Sequence, residues 1–319
     1  MIQGAETSSL DMKETIRRKI TEAGACAVGF ARAGAVDSRA VAGYAVWIGE
    51  GCHAGMDYLG RHIPLKADTE SVLPGAATVI CAAFSYAPER VRDAALPVIS
   101  CYAYGQDYHD VIRRRLAPVV AWMKDTWGGD WRICIDSAPV AERYWAMRSG
   151  IGRLARNGSV IVDGFGGMCF LAEILTTAVI EPDMPSGRVC EGCGACVRAC
   201  PTGALRHDGT VDARRCLNYL TIEHRGPWEG EMREVMESEA GKKTLYGCDI
   251  CQNICPHNKD IPPTEIEEFH LPDKLAALTA ADVIAMSPAD FSLFFKGSPI
   301  KRAKYEGLLR NALNTLPPD

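Results

Sequence analysis

The chain has 319 residues, 47% hydrophobic and 24% charged, with a formal net charge of -5. This is an ordinary globular composition, long enough for about two or three domains. Its mild acidity gives no bulk argument for nucleic-acid binding and leaves only a local basic patch as a route to it. No apolar run reaches the roughly 18 residues of a membrane span. The N-terminus, MIQGAETSSLDMKETIRRK, has no basic segment leading into an apolar one, so the expectation is a protein of the cytosol without a membrane anchor.

In chain order, residues 11–24 carry the period of an amphipathic helix, with Ser9 or Asp11 as N-cap and Gly24 as stop. AVGFA (27–31) is a short apolar run, and ATVICAAFSY (77–86) reads as a buried strand. The spacing of Val111, Ile112, Leu116, Val119, Val120 and Met123 predicts a long helix over 107–127. WRICI (131–135) is a strand candidate. A helix is expected to open near Ser137, with Pro139 in its first turn, and to end at Gly150. SVIV (159–162) and MCFLAEILTTAV (168–179) complete an α/β or α+β domain, a sheet flanked by helices, over residues 1–182. EPDMPSG (181–187) reads as a linker. A cysteine-rich module follows over 183–260, and a short α-helical tail over 261–319.

Fourteen cysteines are unusual for a reduced compartment. Six are scattered (Cys26, Cys52, Cys81, Cys101, Cys134 and Cys169), and eight crowd between Cys190 and Cys255. The first run is Cys190-x-x-Cys193-x-x-Cys196-x-x-x-Cys200-Pro201; the second is Cys248-x-x-Cys251-x-x-x-Cys255-Pro256, with Cys216 upstream. The first has the full spacing of a bacterial two-cluster ferredoxin, in which the fourth cysteine of one run serves the other cluster. By that rule Cys190, Cys193, Cys196 and Cys255 hold one [4Fe–4S] cluster, and Cys200, Cys216, Cys248 and Cys251 the second. The alternative is structural zinc, which favours paired C-x-x-C units with a longer spacer; an unbroken triple run and two Cys-Pro ends speak for iron. Two clusters alone would make an electron carrier, yet some 180 residues precede them without a dinucleotide or P-loop fingerprint.

The segments YAYGQDYHDVIRRRL (102–116), IDSAPVAERYWAMRSGIG (135–152), RNGSVIV (156–162), FLAEILTT (170–177), CEGCGACVRACPTGAL (190–205), CLNYLTIEHRG (216–226) and YGCDICQNICPHNK (246–259) together resemble the epoxyqueuosine reductase family. The resemblance implies a cobalamin-dependent iron–sulfur enzyme that reduces epoxyqueuosine to queuosine at the tRNA wobble position, the last step in making queuosine. It implies base-off cobalamin next to the first cluster, with electrons from an external low-potential donor passing through the second cluster and then the first. [4Fe–4S] centres can be tuned as low as roughly −700 mV. It implies that Asp136 of D-S-A-P is the proton donor, which would ask for a raised pKa; as a sequence position alone, Asp136 reads equally well as a helix cap. Arg61, Cys101, Asn157, Val160, Leu171 and His224 fall where the family contacts cobalamin. Cys101, Val160 and Leu171 also read as plain core, and a lone histidine such as His224 more often serves structure. Arg113, Arg114 and Arg115 read as a solvated helix face or as a tRNA phosphate contact.

The sequence departs from the family pattern in three places. Gln106 stands where arginine is usual, GRLARN (152–157) replaces a G-W-x-G-K-N pattern, and longer members continue beyond KYEGLLRN into helical repeats that grip tRNA. The expected state is a monomer. The rival readings are a dehalogenase-like cobalamin reductase acting on a small molecule and a two-cluster electron-transfer protein.

Overall fold

The computed structural model describes residues 9–187 and 190–316. Helix α1 (Ser9–Glu22) already contains Ser9, so its cap lies outside the described residues; Gly24, at φ 106, ends it as expected. Strands β1 (Ala27–Arg32) and β2 (Thr78–Ser85) are joined by α2 (Ser38–Gly49), α3 (Tyr58–Arg61) and α4 (Ile63–Lys66). After the short β3 (Val98–Ile99) come α5 (Tyr108–Trp127), β4 (Trp131–Cys134), α6 (Glu142–Arg148), the β5 (Gly152–Leu154)–β6 (Val160–Val162) hairpin and β7 (Cys169–Thr176).

The main sheet has the order β1-β2-β7-β4, and every pairing is antiparallel, the α+β form of the expected fold. Strand β2 is buried throughout, because both faces are covered. Successive side chains alternate between faces. Ile80, Ala82 and Phe84 meet Ile16, Ile20, Ile112, Leu116 and Met123 of α1 and α5. Val79, Cys81 and Ala83 meet Trp145, Ala146, Val160 and Val162 of α6 and the hairpin.

Helix α6 starts later than its sequence predicts. Asp136 is left-handed (φ 45), and Pro139 disfavours a helical conformation at Ala138. The Val140 N–H then turns back to Ala138 O, and Ala141 is the N-cap without a side-chain cap bond. Asp136 therefore does not cap this helix.

In the cysteine module, left-handed Gly192 and Gly194 (φ 68 and 69) let the first run curl before α7 (Ala195–Ala199). The insertion between Cys216 and Cys248 folds into α8 (Leu217–Ile222), α9 (Gly230–Glu237), α10 (Glu239–Lys242) and β8 (Thr244–Tyr246), around Leu217, Leu220, Val235 and Met236. Helix α11 (Ile250–Asn253) carries Cys251 and packs on α7. The tail forms α12 (Asp273–Ala276), α13 (Ala280–Ala285), α14 (Pro288–Phe294) and α15 (Lys304–Asn314).

The three expected segments are interwoven in space. β3 from the first pairs in parallel with β8 from the second, and both join the tail in a core of Ile99, Leu245, Tyr246, Phe295, Ile300 and Leu308. Arg115 ion-pairs with Glu268 of the tail at 2.7 Å, and Arg114 bonds Gln106 at 3.1 Å. This part of the arginine run is tied into the fold.

Candidate active site

The eight thiols stand in two groups of four. Cys190, Cys193, Cys196 and Cys255 line one cavity together with Asn157 and His257. In the other group, burial and then the neighbouring Cys248, Cys216 and Cys200 push the Cys251 thiol up. Among the described residues no three His, Cys, Asp or Glu side chains close around one point as a single metal ion would require.

The two groups differ in what surrounds them. Cys193 of the first is exposed. The second lies against the N-terminal domain: Asp249, between Cys248 and Cys251, accepts the Cys101 N–H at 2.7 Å and the Ser100 hydroxyl at 2.5 Å. Cys101 is buried, and with Asp249, Cys169 and Cys251 it surrounds Tyr86. The amide of Asn157 donates to Cys251 O at 3.3 Å. The second group is thus the one seated against Cys101, while Asn157 also lines the cavity of the first.

The other anticipated residues lie in different places. Val160 and Leu171 belong to the sheet face covered by α6, Val160 buried and Leu171 half-buried. Further along β7 on the same face, Glu173 is fully buried between Cys81 and Cys134, with neither carboxylate oxygen hydrogen-bonded. Burial, and then the nearby Glu142, hold its pKa well above the usual range. Arg61 ends α3 on the surface. His224 is held by the Pro227 carbonyl at 2.9 Å and by the Tyr219 ring, the structural role open to a lone histidine.

Asp136 sits where β4 ends. Its side chain is 59% exposed, yet it is flanked by protein on most sides. Oδ2 lies 3.1 Å from His109 Nε2, and His109 Nδ1 lies 2.6 Å from Asp107, the N-cap of α5. Burial acts to raise the Asp136 pKa, but bonds from His109 and Tyr108 and the His109 charge outweigh it. The net position is below the usual carboxylate value, opposite to the upward shift expected of a proton donor. The missing proton is on His109: burial opposes its charge, but the two carboxylates prevail and push its pKa up to about 9. Burial and the Asp136 charge push Glu142 up to about 7.

Sequence reasoning singled out none of His109, Glu142, Asp249 or Arg302. Arg302, from the tail, makes a two-pronged ion pair with Glu223 at 2.7 Å and also faces Tyr58 and Asp136. The D-x-H spacing of Asp107 and His109 was the available signal for the Asp–His–Asp chain; Arg302 had none.

Two groups of four cysteines, in a chain that also holds a proton on an Asp–His–Asp cluster, define an iron–sulfur oxidoreductase. Residues 189–258 match the 4Fe-4S double cluster binding domain, and residues 66–137 match the model described as "Epoxyqueuosine reductase QueG, DUF1730". An epoxyqueuosine reductase of Gloeobacter violaceus is 36% identical over 301 residues, covering 91% of each chain. A crystal structure of an epoxyqueuosine reductase with an epoxyqueuosine-modified tRNA-Tyr stem loop aligns with TM-score 0.85 and 27% identity, over 97% of this chain and 81% of that one. The Bacillus subtilis epoxyqueuosine reductase, in a form whose catalytic loop is swung out of the active site, aligns with TM-score 0.86 and 27% identity, over 97% and 82%. The chain belongs to the epoxyqueuosine reductase family.

Proposed function

We infer that this chain reduces epoxyqueuosine in tRNA to queuosine. The net reaction takes two electrons and two protons and releases the epoxide oxygen as water. The observation that supports this reading is the Asp107–His109–Asp136 chain, which holds a proton next to the Asp136 carboxylate in a protein that also carries two groups of four thiols.

The residues present fit a large, amide-fringed macrocycle such as cobalamin. Asn157 and Gln252 offer amides for its edge, where they already bond to Cys251 O and Ser159. Bound there, cobalamin would supply a strongly reducing cobalt centre, the hard chemistry of the reaction. Exposed Cys193 makes the first group suited to docking of an external low-potential donor, and the second group, against Cys101, suits delivery inward.

The protein's own task is the proton. An oxygen leaving carbon departs more easily when protonated. Asp136 is ionised at rest, so it acts as the relay: it passes the His109 proton to the leaving oxygen and is recharged from the imidazolium. Asp107 keeps the ring oriented. Arg302, Tyr58 and Lys66 lie near Asp136 and suit a polyanionic, hydroxyl-rich nucleotide.

The direct test is complementation. In a bacterium whose own epoxyqueuosine reductase is deleted, expression of this chain should restore queuosine to tRNA. Persistence of epoxyqueuosine with the protein present and iron-loaded would overturn the reading.

A further inference from the structure

Asp136 sits on a short span, residues 136–139, exposed at Asp136 and Ser137, half-buried at Ala138 and Pro139, and pinned at either end by buried Ile135 and Val140. The hydrogen bonds within the span are local: Ser137 Oγ donates to Ile135 O, and Val140 N–H to Ala138 O. Two attachments reach outward from Asp136. One runs through the carboxylate, to His109 and Tyr108. The other runs through the backbone: Asp136 N–H donates to Glu142 Oε1 at 2.6 Å. The first attachment uses the group that must exchange a proton, so it changes during turnover. The second does not.

We propose that Glu142 is a positioning residue, whose carboxylate holds the Asp136 loop in its inward, reactive conformation by accepting the Asp136 amide. The geometry gives it this task because Asp136 is a non-glycine residue in the left-handed region, φ 45. Such a conformation persists only where surrounding contacts impose it. Glu142 opens α6, which packs on β1, β2 and β7. The acceptor is thus mounted on the rigid sheet, while the donor is on the loop. A short bond to a charged acceptor is among the stronger hydrogen bonds available.

The groups facing Glu142 make this hold sensitive to pH. They are Asp136 on the loop, Lys66 on α4, Arg143 beside it, buried Glu173 on β7, Tyr108 on α5, Cys81 on β2 and Cys134 on β4. Burial holds the Glu173 carboxyl well above its usual range, which favours the charge of the pair resting on Glu142. Asp136 stays ionised and His109 protonated on either side of pH 7. Glu142 is therefore the group that loses its charge as pH falls through about 7, and it then accepts more weakly.

This inference rests on Asp136 being the proton donor, and its test is separable from that reading. Hydrogen–deuterium exchange is measured on the anaerobically purified, cluster-containing protein, with a peptide across 131–141 and a β2 peptide as control. Glu142→Ala should lower protection of the Asp136 amide about tenfold or more and reduce kcat with little change in KM. Glu142→Gln keeps an acceptor oxygen and should restore protection near pH 7.5. In the unaltered protein, protection should fall from pH 8 to pH 6, and Glu142→Gln should abolish that dependence. Protection in Glu142→Ala equal to the parent, or a parent profile flat across this range, would overturn the proposal. Because the parent profile needs no substitution, misfolding of the alanine variant does not rescue the idea. Loss of activity in Asp136→Asn reads the donor role, whereas exchange reads the hold.

Discussion

His109 Nε2 lies 3.1 Å from Asp136 Oδ2, while its other ring nitrogen lies 2.6 Å from Asp107. A carboxylate on each side keeps the imidazole charged up to about pH 9. Asp136 thus stands without its own proton, with a replacement one bond away.

Removing the proton store should separate position from chemistry. In His109→Gln, the glutamine can still bond Asp136 but carries no acidic proton. The expected loss is about a hundredfold in kcat, within the usual range for general acid catalysis, with the clusters intact. Single-turnover rates on an epoxyqueuosine stem loop check this.

The same pair sets a stability window. The folded His109 pKa is raised, from an ordinary 6.5 to about 9. Its contribution is fully present below the unfolded value, shrinks above about 6.5 and is gone once pH has passed about 9. With side chains 30% and 59% exposed, the effect is screened to no more than about 1 kcal/mol. Unfolding midpoints of the parent and His109→Gln should differ at pH 6 and converge by pH 10.

The crossed ligation predicts a specific pattern of iron loss. Cys255→Ser should remove the first cluster and Cys216→Ser the second, each halving iron content. Cys255→Ser should retain the spectrum of the deeper cluster. Identical residual spectra in the two variants would refute the crossing.

The tail is part of the fold. Leu308 is fully buried in the core that joins β3, β8 and α15. Leu308→Ala should cost about 2–5 kcal/mol, read as a lowered thermal midpoint with a coincident loss of cluster absorbance.

Much of this was legible in the sequence, for identifiable reasons. The apolar run over 78–85 and the helical stripe from Val111 to Met123 are local signals, and they locate β2 and α5. The cysteine spacing carries its own geometry. The strand order was not legible, because antiparallel pairing of β2 with β7 joins segments about 90 residues apart. The start of α6 differs from expectation because proline suits a first helical turn as well as a turn that precedes a helix. The expected rise of the Asp136 pKa rests on apolar neighbours visible in sequence, whereas the opposing imidazolium comes from 27 residues away. The grip of Asp249 on Cys101 was invisible, since only the fold brings the two together.

The central claim is a two-electron epoxide reduction for which Asp136 delivers the proton. Its most direct measurement is mass spectrometry of an epoxyqueuosine-containing tRNA stem loop after one turnover. It uses protein loaded with clusters and cobalamin, alongside Asp136→Asn with equal loading. The account predicts loss of one oxygen atom from the nucleoside with the parent and unchanged substrate with the variant. Unchanged substrate with the fully loaded parent, or equal conversion by both, would contradict it.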